Sequence, residues 1–65
     1  MLFYWINQNK TVKELRKSAS LTVKELAEKV NWDTVQIQKL DNTKLKDLPE
    51  EIKQQLIPIF RQDHL

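Results

Sequence analysis

The sequence predicts a small all-α bundle of four to five helices, with a short strand at its N-terminal end. Three observations predict it. Glycine is absent and Pro49 and Pro58 are the only prolines, so little in the chain interrupts a helix. A Thr-Val-Lys-Glu-Leu string occurs at 11–15 and again at 22–26, and each copy opens with a capping box. Apolar residues then recur at helical spacing from Val12 to Phe60. The 65 residues make one domain, 1–65, with residues 1–10 as a strand or arm and 11–60 as a helical core. A domain of this size buries only about 60% of its unfolded surface, so its stability is marginal.

Leu2 to Ile6 are aromatic and β-branched residues that suit a pleated surface, which predicts a strand. A lone strand needs a partner for its backbone groups, either elsewhere in the chain or in a second copy. Asn7-Gln8-Asn9-Lys10 is a polar turn. Thr11 and Glu14 cap a helix to about Ser18, with Val12, Leu15 and Ala19 on its apolar stripe, and Ser18-Ala19-Ser20 interrupts it. Thr22 and Glu25 cap the next helix, lined by Val23, Leu26, Ala27 and Val30. Asn31 suits the left-handed position at its end. Asp33 and Gln36 open a third helix that buries Ile37 and Leu40 and stops at Asp41-Asn42-Thr43. Lys44 to Leu48 is a connector with at most one helical turn. Pro49 is placed as the first residue of the last helix, with Glu50 and Glu51 in its first turn, where the dipole favours anions. Ile52, Leu56, Ile59 and Phe60 form its apolar face, and Pro58 is expected to kink or end it.

Composition excludes several classes of function. With no cysteine there is no disulfide or thiolate metal site, which fits a reducing cytoplasm. No apolar run approaches the roughly 18 residues of a membrane span, and the N-terminal stretch lacks the basic region of a signal peptide. The absence of glycine rules out a Gly-rich phosphate loop. A lone His64 has no partners for a metal, Glu50-Glu51 are helix-start residues, and no nucleophile–base pair can be assembled. The chain is therefore expected to be no enzyme and to use no cofactor, metal or small-molecule substrate. The net charge of +2 is small, but residues 10–46 carry nine Lys/Arg against five Asp/Glu, a surplus of +4 in the middle of the chain.

The span from Thr22 to Asn42 is two short helices joined by a tight turn, and it meets the requirements of a helix-turn-helix. Ala27 is small where the second helix crosses the first, Asn31 tolerates positive φ, and Trp32 plugs the turn into the core. Ile37 and Leu40 bury one side of the second helix, leaving Thr34, Val35, Gln38 and Lys39 on the free side, where such a helix enters the major groove. Asp33 would repel phosphate, and its capping role accounts for it.

Leu21-Thr22-x-x-x-Leu26-Ala27-x-x-Val30, Trp32-Asp33 and Ile37-x-x-Leu40-Asp41-Asn42 resemble the phage Cro/repressor-type (XRE) helix-turn-helix family, and Leu15-Arg16 fits the end of that family's first helix. The chain departs from the pattern at Val23, where the family usually has Gln, at Asn31 and Thr43, where it has Gly, and at Gln38, where Ser is common. The resemblance implies a lambda-repressor-like fold and a DNA surface. On it, Thr34, Val35, Gln38 and Lys39 face bases: Gln38 toward adenine, Lys39 toward guanine or phosphate, and the methyls of Thr34 or Val35 toward thymine. Thr22, Lys24, Asn42, Lys44 and Lys46 grip phosphates, helped by backbone N–H groups at the start of the helix after Thr22.

The expected function is sequence-specific binding of double-stranded DNA by a phage-like or mobile-element transcriptional regulator, a cytoplasmic homodimer that reads the major groove with helix 33–42. The alternative is a protein-interaction module, an antirepressor or complex subunit, that keeps the fold without binding DNA. Phe3, Tyr4 and Trp5 are the expected dimer or interaction residues; the same cluster also suits a cover over one open side of the core.

Overall fold

The computed structural model describes residues 2–62, so His64 lies outside the described residues. Five α-helices follow in order: α1 (Leu2–Asn7), α2 (Val12–Ser18), α3 (Val23–Val30), α4 (Thr34–Leu40) and α5 (Glu50–Phe60), with a 3-10 turn over Leu45–Asp47. The described residues contain no strand, only an isolated antiparallel bridge between Thr11 and Lys44. The all-α fold class is the one the sequence predicts.

The N-terminal strand is the main correction: Leu2 to Ile6 are helical. The β preference of aromatic and branched residues measures packing on a sheet, and here no sheet exists to receive them. A helix satisfies its own backbone, and its periodicity turns Phe3 and Tyr4 onto the core while Leu2, Trp5 and Ile6 face out. The Tyr4 hydroxyl accepts from Lys53 Nζ on α5 at 3.4 Å.

Three helix starts lie 11 residues apart. In α2 the Thr11 hydroxyl accepts from Glu14 N–H and Glu14 Oε1 accepts from Thr11 N–H. In α3 Thr22 and Glu25 repeat both bonds. At α4 Gln36 Oε1 accepts from Asp33 N–H at 3.1 Å. The residue after each box, Leu15, Leu26 and Ile37, is buried, so one spacing sets both the caps and three central core positions.

The helix ends repeat as well. Ser20 (φ 60°) and Asn31 (φ 59°) are left-handed. Leu21 N–H donates to Arg16 O and Ser20 N–H to Lys17 O; after α3, Trp32 N–H donates to Ala27 O and Asn31 N–H to Glu28 O. Both ends are Schellman motifs, and the residue that follows the left-handed one, Leu21 or Trp32, packs against the core.

The core gathers Val12, Leu15, Leu26, Ala27, Ile37, Leu45, Leu48, Leu56, Ile57 and Phe60. Leu45 and Leu48 anchor the connector, which holds its one 3-10 turn in place. Two details of α5 refine the expectation. Pro49 is the N-cap, with extended ψ of 149°, and Glu50 opens the helix. Pro58 does not end α5, which runs on to Phe60. Pro58 and Gln54 are both exposed, which leaves room for water to replace the missing Pro58 N–H.

Candidate nucleic-acid interface

The α3–α4 pair is the most extensive helix contact in the molecule. α3 ends in the left-handed turn at Asn31, Trp32 is half-buried at the corner, and Asp33 starts α4. Ile37 is fully buried and Leu40 half-buried, which fixes how α4 is rotated. Thr34, Val35, Gln38 and Lys39 are consequently all exposed. Val35 leaves 54% of its surface in solvent, an apolar side chain presented outward on an otherwise polar helix face.

Thr22, Lys24, Asn42, Lys44 and Lys46 are exposed as well. Thr22 and Lys24 lie at the start of α3, and the Thr22 hydroxyl is already engaged by Glu25 N–H at 3.1 Å. Asn42, Lys44 and Lys46 sit in the segment that leaves α4. The Glu25 carboxyl is held below its ordinary value chiefly by the Thr22 N–H, with the Thr22 hydroxyl and Lys29 adding to the effect.

Two features tie this surface to the rest of the fold. The Arg16 guanidinium pairs with Asp41 at the end of α4 and also donates to Leu21 O at 3.0 Å. The free N–H groups of the first turn of α2 point at the end of α4: Val12 N–H donates to Thr43 O and Lys13 N–H to Asp41 O, each at 3.0 Å. The start of α2 thus meets carbonyls just past the end of α4, which accept its Val12 and Lys13 N–H groups. The end of α4 is fixed by an ion pair and two main-chain bonds to α2.

Phe3, Tyr4 and Trp5 divide between two faces. Phe3 and Tyr4 are half-buried against the core, and Trp5 joins Leu2 and Ile6 on an exposed apolar stripe. On its other flank α4 borders a shallow hollow of about 300 Å³ lined by Trp32, Gln36, Lys39, Leu40 and Ile52. Among the described residues, no three of His, Cys, Asp and Glu come together as a metal site would need. No helix there is long and apolar enough to cross a membrane.

Sequence reasoning did not find the partnership of Arg16 with Asp41 or the burial of Leu45 and Leu48. The first had one local signal, a charged residue directly beside the buried Leu15. No protein-family model, curated protein or solved structure matches this chain.

Proposed function

We propose that this protein is a sequence-specific duplex-DNA-binding protein of the phage Cro/repressor (XRE) type, a phage-like or mobile-element transcriptional regulator acting in the cytoplasm without enzymatic activity. The observation that carries the reading is the division of α4. One side is locked into the core by Ile37, while Thr34, Val35, Gln38 and Lys39 stand free on the other. A helix so held is narrow enough for the major groove. The amide of Gln38 has the donor and acceptor pair that adenine presents there, Lys39 suits guanine, and the exposed Val35 and Thr34 methyls suit thymine. Asn42, Lys44 and Lys46 follow α4 in the chain, Thr22 and Lys24 open α3, and these five exposed residues supply phosphate contacts.

The protein acts as a homodimer on a two-fold site. For such a dimer, half-sites lie about one duplex turn, roughly 34 Å, apart. The stripe of Leu2, Trp5 and Ile6 is the surface offered to the second copy. α1 carries no charged residue, so two such stripes meet without like-charge repulsion.

Fluorescence anisotropy against a random-sequence duplex across a salt series, followed by selection from a random pool, tests the reading. Salt-sensitive binding and an enriched two-fold site support it. Absence of binding at low salt favours the second reading, a protein-interaction module. The specific observation behind that reading is the same apolar stripe on α1, which would then meet another protein.

A further inference from the structure

The turn between α1 and α2 is stitched along the segment that leaves α4. Leu45 N–H donates to Lys10 O at 2.9 Å, and Lys46 N–H donates to Gln8 O at 3.0 Å. On the other side of the Thr11–Lys44 bridge, Val12 N–H and Lys13 N–H donate to Thr43 O and Asp41 O. These four bonds run two backbones side by side, about 5 Å apart. Lys10 and Lys13 on one backbone are thereby neighbours of Lys44 and Lys46 on the other, although more than 30 positions separate the two groups in the chain. All four lysines are exposed.

The carboxylates nearby offset this charge only in part. Residues 8–13 and 41–46 include a single acid, Asp41, and it is already paired with Arg16. Glu14 accepts from the Thr11 N–H and hydroxyl and also faces the charge of Lys10, which helps to hold its carboxyl below its ordinary value. Asp47 directly follows Lys46. Cations gathered on two adjoining backbone segments repel, and a polyanion running past them relieves that repulsion.

We propose that Lys10, Lys13, Lys44 and Lys46 form one cationic ridge that grips the phosphate backbone of the duplex and fixes the register of α4 in the groove. The inference rests on the DNA-binding reading and adds Lys10 and Lys13 to it. The ridge sets register because it cannot shift against α4 without breaking the Val12–Thr43 and Lys13–Asp41 bonds. Contacts of this kind position a protein on DNA and carry no sequence information, so losing them weakens all sequences alike.

The test is anisotropy with two labelled duplexes, one random in sequence and one taken from the selected pool, titrated across a salt series. The variants are K10Q/K13Q and, as a control of equal charge change per residue, K29Q on the last turn of α3. All three positions are exposed, and an unchanged helical circular-dichroism spectrum confirms folding. K10Q/K13Q should flatten the slope of log K against log salt by about 0.9 for each lysine. It should weaken both duplexes by the same factor, and K29Q should leave the slope as it was. A slope unchanged in K10Q/K13Q while the wild type binds overturns the ridge and leaves the DNA reading standing. So does an equal flattening per lysine in K29Q, which would make net charge the cause. A wild type without salt-sensitive binding overturns the DNA reading, and the ridge with it.

Discussion

Arg16 and Asp41, 25 positions apart, form a two-pronged ion pair: Nε donates to Oδ1 at 3.3 Å and Nη2 to Oδ2 at 3.0 Å. Their side chains are only 9% and 14% exposed, and a third donor, Nη1, reaches Leu21 O. Removing one partner strands the other in a poorly hydrated place, which costs about 2–4 kcal/mol. R16A should therefore lower the melting temperature by roughly 10–20 °C in a domain this small. R16M/D41L, which removes both charges and keeps the volume, should recover most of the loss. Thermal melts by circular dichroism measure both, and a shift below about 3 °C in R16A would show that the pair contributes little.

Gln38 and Lys39 make the opposite kind of prediction. Both are exposed, and neither supports the core. Q38A and K39A should leave the melting temperature within about 2 °C, since surface substitutions away from special features change stability by less than ~0.5 kcal/mol. On the selected duplex Q38A should cost about 1–3 kcal/mol in binding and relax preference at one base pair. Competition titrations with single-base variants of the site read this out. A Q38A protein with full affinity and unchanged preference would remove Gln38 from base recognition.

The stripe on α1 leads to a graded expectation. Leu2, Trp5 and Ile6 are 75%, 69% and 65% exposed and together offer a few hundred Å² of apolar surface. A stable interface takes roughly 800 Å² from each partner, so self-association of the free protein should be weak and become effective when DNA holds two copies side by side. Sedimentation equilibrium should show a dimer only toward high micromolar concentration. W5E should abolish it, together with cooperative binding to a two-fold site, while a single half-site is bound as before. Cooperativity that survives W5E would place the contact elsewhere.

Much of this architecture was legible because it is local. The pairs Thr11/Glu14 and Thr22/Glu25, Gln36 as the partner of Asp33, and Asn31 as a left-handed residue each involve neighbours within a few positions, and each is found as read. The free face of α4 was legible because Ile37 and Leu40 fix its rotation. What escaped was non-local. The strand expected at 2–6 came from side chains whose preference depends on a sheet that is absent. Leu45 stands between two lysines and Leu48 between Asp47 and Pro49, with no period to mark them. The proximity of Lys10 and Lys13 to Lys44 and Lys46 depends on main-chain bonds that no local pattern encodes.

The two threonine–glutamate boxes carry a pH dependence. The Glu14 carboxyl is held below its ordinary value of 4.5, first by the Thr11 N–H, then by the Thr11 hydroxyl and Lys10; Glu25 is held low in the same way by Thr22, with Lys29 adding to it. Groups depressed on folding add stability that is present above the unfolded value and lost as pH falls through the folded one. Stability to urea should accordingly decline as pH drops below about 4.5. E14Q/E25Q retains an acceptor for each threonine N–H but cannot titrate, so its acid decline should be shallower. A variant whose decline parallels the wild type would assign the acid sensitivity to other carboxylates.

Ser20 offers the most direct route to a more stable protein. It occupies the left-handed position at the end of α2 with φ 60°, where its N–H donates to Lys17 O and the next N–H, that of Leu21, donates to Arg16 O. Asn31 holds the matching place after α3 and is a residue type that tolerates it; serine is less suited, because its Cβ crowds the backbone there. Glycine removes that crowding but adds freedom to the unfolded chain, which offsets part of the gain. S20G should therefore stabilise by about 0.5–1 kcal/mol, a rise of a few degrees in melting temperature. S20V, branched at Cβ, should lose about 1–2 kcal/mol because the left-handed region is most restricted for such residues. The side chain of Ser20 is exposed, so neither change disturbs packing, and the comparison isolates backbone conformation. A melting temperature that falls in S20G, or holds in S20V, would mean that the end of α2 does not depend on this left-handed turn.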